Sequence, residues 1–352
     1  RLLDECHRGI IQLPDFQRSW VWDEDRIKSL IASISRAFPV GALMSLDTGG
    51  PVNFKPRPVE GAPAEARQTA PKSLLLDGQQ RMTSLYQVTL RGKVVETVTP
   101  KKKWVKRWFY LDLAKAIDET VDREEAVIGM PEDRMERPMF GRDNARDLST
   151  PEKEYAALMF PVAQVFDWDT WQDGFNDYWS GQEHKAVRER FRIFKKEVLE
   201  NFKMYRVPVI ALDRSTSKEA VCVVFEKVNT GGKPLDAFEL VTAMYAASGH
   251  ELRKDWYGDE KAEGRHRRLA EALRPAGSDA GILKGVGSTD FLQAISLFFT
   301  RDRRRAAEQA GKQGKELPTV SGNRQALPDL PLEAYRKYEA QVERGFIQAA
   351  KF

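Results

Sequence analysis

Cysteine and histidine are scarce in this 352-residue chain: Cys6 and Cys222 are its two thiols, and His7, His184, His250 and His266 its four imidazoles. Thiols so far apart, with Cys222 inside an apolar helical pattern, exclude a disulfide framework and a cysteine-based zinc site of the usual kind; they point to a reducing cytoplasm. None of the histidines stands in an H-N-H or zincin arrangement, and His266 is embedded in arginines. There is no Walker A sequence and no serine at a nucleophile elbow, which removes P-loop and serine-hydrolase chemistry. No apolar run approaches the length of a membrane span. The first residues, Arg1-Leu2-Leu3-Asp4-Glu5, offer neither an initiator Met nor a signal-peptide core, and read as the cut edge of a longer protein.

What is present suits a soluble globular chain. Hydrophobic residues make up 41%, enough at this length for one sizeable core or two modest ones. The formal charge of +4 permits nucleic acid as a partner without requiring it.

The stretch 74–86, LLLDGQQRMTSLY, organises the rest. Leu74, Leu75 and Leu76 form a buried-looking strand, Gly78 permits a sharp turn, and Met82, Leu85 and Tyr86 fall at helical spacing until Gly92. A helix start presents unpaired backbone N–H groups and partial positive charge, so Gly78, Gln79, Gln80 and Arg81 suit a phosphate or another anion. Asp77 is out of place beside an anion unless a divalent cation or an attacking water lies between them, which points to Mg²⁺ or water activation. The competing reading is local: Asp77 caps the helix and Arg81 pairs with it.

DGQQRMTSLY (77–86), with LPDFQRSWVW upstream (13–22) and FEKVNTGGKPLDAFEL downstream (225–240), resembles the N-terminal domain of GmrSD-type modification-dependent restriction endonucleases, also described as domain of unknown function 262. The resemblance implies a ParB/sulfiredoxin-like fold that binds and hydrolyses a nucleoside triphosphate (GTP, ATP, CTP or UTP) with Mg²⁺, in bacterial defence against phage DNA. It implies that Gln17, Arg18, Gly78, Gln79, Gln80, Arg81, Thr83 and Asn229 surround the nucleotide, with Asp77, Gln80 and Arg81 in catalysis and Asp77 holding the metal. It also places an HNH nuclease domain beyond the C-terminal end. Two other readings stay open: a ParB-like module clamped by nucleotide without turnover, and a phosphotransferase.

Along the chain, Ile10–Leu13 reads as a strand ending at Pro14. Asp23 caps a helix carrying Ile27, Leu30, Ile31, Ile34 and Phe38, and Val40–Leu46 alternates as a strand. Residues 47–73, rich in Gly, Pro and Ala, read as a long mobile loop, and 118–154 as loops with short helices. From Trp168 to Trp179 aromatics recur at helical spacing, a core pattern rather than a base-binding cage. A long helix with a basic outer face follows, then a strand at Tyr205–Leu212. The expected fold is therefore α/β in the α+β sense: a small mixed sheet with helices over 1–215, then an α-helical domain over 216–352.

For DNA, Lys101, Lys102, Lys103 and Lys106 interleaved with Trp104 and Trp108 offer phosphate and base contacts, although a lysine-guarded strand edge has the same look. Arg265, Arg267 and Arg268, and Arg301 with Arg303, Arg304 and Arg305, are further basic clusters that equally suit a solvated helix end. The sequence leaves a homo-oligomer open.

Overall fold

A computed structural model of the chain describes residues 1–17, 19–137, 146–218, 220–221, 224, 237–259, 262–273 and 281–351. The chain divides into two compact units: Arg1–Leu13, Gln17–Ser45 and Arg57–Ala211 form the first, and Pro14–Phe16, Leu46–Pro56 and Leu212–Phe352 the second. The architecture is mixed α and β with two small sheets.

The first unit opens with α1 (Leu2–His7), β1 (Ile11–Pro14), α2 (Glu24–Ser35) and β2 (Leu43–Asp47), followed by β3 (Pro56–Arg57), β4 (Ser73–Asp77) and α3 (Gln79–Thr89). Asp23 caps α2 by accepting from the Arg26 N–H at 2.8 Å. That helix stops at Ser35, and the backbone turns left-handed at Ala37 (φ 54°). Phe38, expected on its apolar face, therefore lies 52% exposed with the Arg36 guanidinium over its ring. The first sheet has the order β3-β1-β4-β2-β9, where β9 is Val209–Leu212. β1 and β4 run parallel, Ile11 opposite Ser73 and Gln12 opposite Leu74. A central position explains the unbroken Leu74–Leu76 run, all three side chains being buried.

The segment 47–73, read as a loop, contains β3 and several buried side chains. Val52, Phe54 and Val59 are buried in it. The buried Gln12 amide donates to the carbonyls of Gly9, Ala66 and Thr69 at 3.0, 3.0 and 2.8 Å. Three side-chain-to-backbone bonds from one residue do there what periodicity would otherwise signal.

The second sheet is antiparallel around one long strand. β5 (Val95–Val98), β7 (Val127–Met130) and β8 (Met159–Pro161) all pair with β6 (Trp104–Asp112). Helices α4 (Leu113–Ile117) and α5 (Pro151–Ala156) lie between these strands in sequence, and α6 (Asp169–Tyr178) and α7 (Lys185–Phe194) follow. From α7 the chain passes through a π-helical turn, Lys195–Leu199, into α8 (Glu200–Met204). Trp171, Phe175, Phe191 and Phe194 are buried with Phe160 and Ile31 in the main core, and Trp171 stacks on Phe175 at 5.1 Å. The aromatic repeat is thus core packing.

The described elements of the second unit beyond β9 are helical: α9 (Ala237–Ala247), α10 (Leu252–Tyr257), α11 (Arg265–Glu271), α12 (Ser288–Gln309) and α13 (Leu332–Ala349), with 3₁₀ turns between them. Phe238, Tyr245, Trp256, Phe291 and Tyr335 form its core. Arg265 is enclosed by acids. It is 7% exposed and ion-paired to Asp255, Glu339 and Glu343, while Arg268 also pairs with Glu343 and Arg267 with Glu263 and Glu271. Arg265 is thus matched by carboxylates inside the unit, while Arg267 keeps an exposed side chain beside its two acidic neighbours.

Candidate functional site

The turn between β4 and α3 builds the corner. Gly78 adopts φ +86°, and a Cβ on it would stand 2.2 Å from Leu43 Cδ2, so only glycine fits without displacement. Gly78 is also the N-cap and supplies no side-chain acceptor; the first turn of α3 contains no acid. The first intrahelical bond runs from the Met82 N–H to the Gly78 carbonyl at 2.9 Å, so the amides of residues 79–81 precede the ladder.

Asp77 does not cap the helix. Its carboxylate accepts from Arg81 Nη2 at 3.2 Å, with side chains 38% and 21% exposed respectively. Arg81 is also committed elsewhere: Nη1 donates to the Val40 carbonyl and Nη2 to that of Ala42 at 3.0 Å. Its fork therefore fastens the segment 40–42 beside the turn. Gln80 has a comparable role, since Oε1 accepts from the Val21 N–H at 3.0 Å and Nε2 donates to the Ser19 carbonyl at 3.3 Å. Gln79 is 7% exposed and Thr83 fully buried.

Gln17 reaches the same strand, its Nε2 donating to the carbonyls of Leu75 and Leu76 at 3.0 and 2.8 Å. Two of the three sequence motifs, residues 13–22 and 77–86, are bonded together through Gln80, which meets Ser19 and Val21. Arg18 and Asn229, and most of the third motif, lie outside the described residues.

Residues not singled out from sequence complete the network. Glu60 Oε1 accepts from the Trp20 N–H at 3.0 Å and from Arg57 Nη1 at 2.8 Å, and Arg57 Nη2 donates to the Gln17 carbonyl. The Trp20 indole donates to Ser84 Oγ at 2.9 Å, and Gln87 Nε2 to the Glu60 carbonyl at 3.2 Å. Arg57 and Glu60 sit in the segment read as a featureless loop, where only their charge within a Gly/Pro/Ala-rich stretch was a signal. Around this network Gln17 Oε1, Glu60 Oε2 and Thr83 Oγ1 are buried without a hydrogen-bond partner among the described residues.

Residues 1–246 match the family described as GmrSD restriction endonuclease, N-terminal domain. The chain belongs to that family. An uncharacterized protein of Methanocaldococcus jannaschii is 27% identical over 268 residues, covering 72% of this chain and 42% of that protein. The chain thus spans less than half the length of that relative.

In this GmrSD N-terminal domain, no group of three His, Cys, Asp or Glu is assembled for a metal among the described residues. Lys101, Lys102 and Lys103 occupy the turn joining β5 to β6, beside Trp104, which is 66% exposed. They form no ion pair among the described residues, whereas Lys106 is paired with Glu132 at 2.9 Å. On α12, Arg304 pairs with Glu308 at 2.9 Å and Arg303 lies over the Phe299 ring.

Proposed function

We propose that this chain is the nucleotide-binding and hydrolysing sensor module of a bacterial, cytoplasmic defence system, coupling triphosphate turnover to engagement of modified DNA. The observation that carries this reading is the glycine-capped start of α3, which offers backbone donors and no first-turn carboxylate in a chain of the restriction-endonuclease family. The amides of Gln80 and Arg81, which precede the helical ladder, bind phosphate oxygens without side-chain help. Thr83 Oγ1, buried behind them, is a hydroxyl without a hydrogen-bond partner among the described residues. Gln17 Oε1 and Glu60 Oε2 only accept hydrogen bonds, so they suit the N–H and O–H donors of a nucleoside rather than its phosphates.

Asp77 at the rim orients the attacking water or binds Mg²⁺. Mg²⁺ is commonly held by one carboxylate with phosphate and water oxygens, which the position of Asp77 at the rim would allow; the ion would offset charge on the phosphates. Arg81, held against the 40–42 carbonyls, keeps Asp77 in place and adds fixed positive charge beside the phosphates.

The alternative is a nucleotide clamp without turnover, favoured by one observation: the Nη groups of Arg81 are already bonded to Val40, Ala42 and Asp77. The deciding measurement is phosphate release from GTP, ATP, CTP and UTP, with and without DNA, for the native chain and Asp77→Ala. Turnover predicts a fall of about 10²-fold in Asp77→Ala. Release that ignores this substitution removes the role of Asp77, and binding without release from any triphosphate selects the clamp.

A further inference from the structure

Away from that corner, α6 and α7 border a groove of about 670 Å³. Lys185, Arg188, Arg192 and Lys195 line it at helical spacings of three, four and three residues, a row of roughly 15 Å at 1.5 Å per residue. Most of this charge has no internal counter-ion. Arg188 Nη1 is bonded to the carbonyls of Trp179 and Gly181, which are neutral. Lys195 Nζ donates to Gln172 Oε1 at 2.8 Å and lies over the Trp168 ring, again without a carboxylate. Lys185 is exposed and forms no ion pair among the described residues. Glu189, the carboxylate in the lining, is held by Arg192, and Phe191 is the buried aromatic of the lining. Asp173 and Asp177 are on α6 but do not line the groove.

Four cations along one helical face against the single carboxylate of the lining call for a polyanion with repeating charge. We propose that this groove receives the phosphate backbone of a DNA duplex. The row spans about four base-pair steps at 3.4 Å per step along one strand, more than a single phosphate cluster needs. Gln172 and Asn176 on the facing helix supply neutral amides for sugar and phosphate oxygens. The choice of DNA as the polyanion rests on the proposed function; the groove itself requires no nucleotide.

The test is fluorescence anisotropy of a labelled duplex of about 20 bp with the full chain, without nucleotide, across a salt series. The double variant Lys185→Ala/Lys195→Ala is expected to weaken binding about tenfold or more and to reduce the slope of log K against log salt by about 2. Lys185→Glu alone repeats the test at an exposed side chain that no fold contact requires. Both variants binding the duplex with native affinity and slope overturns the proposal. So does a loss confined to Lys101→Ala/Lys102→Ala/Lys103→Ala, or competition by polyglutamate that the groove variants abolish while duplex binding persists. Because nucleotide is absent, failure here leaves the phosphate-release result standing, and failure of phosphate release leaves the groove assignment standing.

Discussion

At Arg81 the guanidinium lies so close to Gly41 that a Cβ there would stand 2.4 Å from Nη1. Hydrogen bonds to a charged donor contribute about 1.5–3 kcal/mol, so Arg81→Ala is expected to lower unfolding free energy by about that amount in a urea titration. Asp77→Ala removes only a partly exposed ion pair and should cost less than about 1 kcal/mol. A large activity loss with small stability loss at Asp77, against losses of both at Arg81, would separate chemistry from scaffolding. Gly78→Ala combines a left-handed backbone with contact against Leu43, and about 2–4 kcal/mol of destabilisation is expected. Cys6 is wholly buried and its thiol is pushed up to about 12, chiefly by burial. In a Cys222→Ser background it should resist alkylation until the protein unfolds, as read by mass spectrometry. The motif residues Gln80 and Arg81 were legible as a cluster, because strand, glycine and helix follow one another directly, whereas Gln17 was placed there by the family resemblance alone. Their partners were not: backbone carbonyls at residues 19, 40, 42, 75 and 76 carry no sequence signature.

Among elements, those with strong periodicity were readable. The aromatic repeat of α6 and the apolar face of α2 announced a shared core, in which Trp171→Ala should cost about 3–5 kcal/mol by thermal or chemical denaturation. β7 was invisible in a segment read as loops. It has four residues, one of them Gly129, and is defined by pairing with β6 rather than by its own alternation. In the helical part of the second unit, His250 packs against Tyr245 and Tyr335. Burial lowers its pKa, with Arg336 and Arg265 acting in the same sense and Asp255 opposing. The unfolded state then binds the proton first, so stability is full above about 6.5 and falls as pH drops from there through the folded-state value. Urea midpoints between those limits should decline in the native chain and flatten in His250→Gln.

For the whole molecule, a boundary near residue 215 follows from where the last strand ends, and contacts divide the chain at Leu212. Composition does not disclose that Pro14–Phe16 and Leu46–Pro56 also group with the later unit. Phe16 meets Phe54 edge-on at 5.1 Å, and Lys55 pairs with Asp15 at 3.4 Å. The backbone at Gly50 comes so near Arg214 that a Cβ would stand 1.8 Å from its carbonyl oxygen. A fragment of residues 1–215 should therefore melt at lower temperature and less cooperatively than the full chain by circular dichroism. The interleaving also acts during synthesis. Residues 46–56 leave the ribosome about 150 residues before Leu212, roughly 8–30 s at 5–20 residues per second. Over that interval the nascent chain must keep two early segments soluble until their companions are translated.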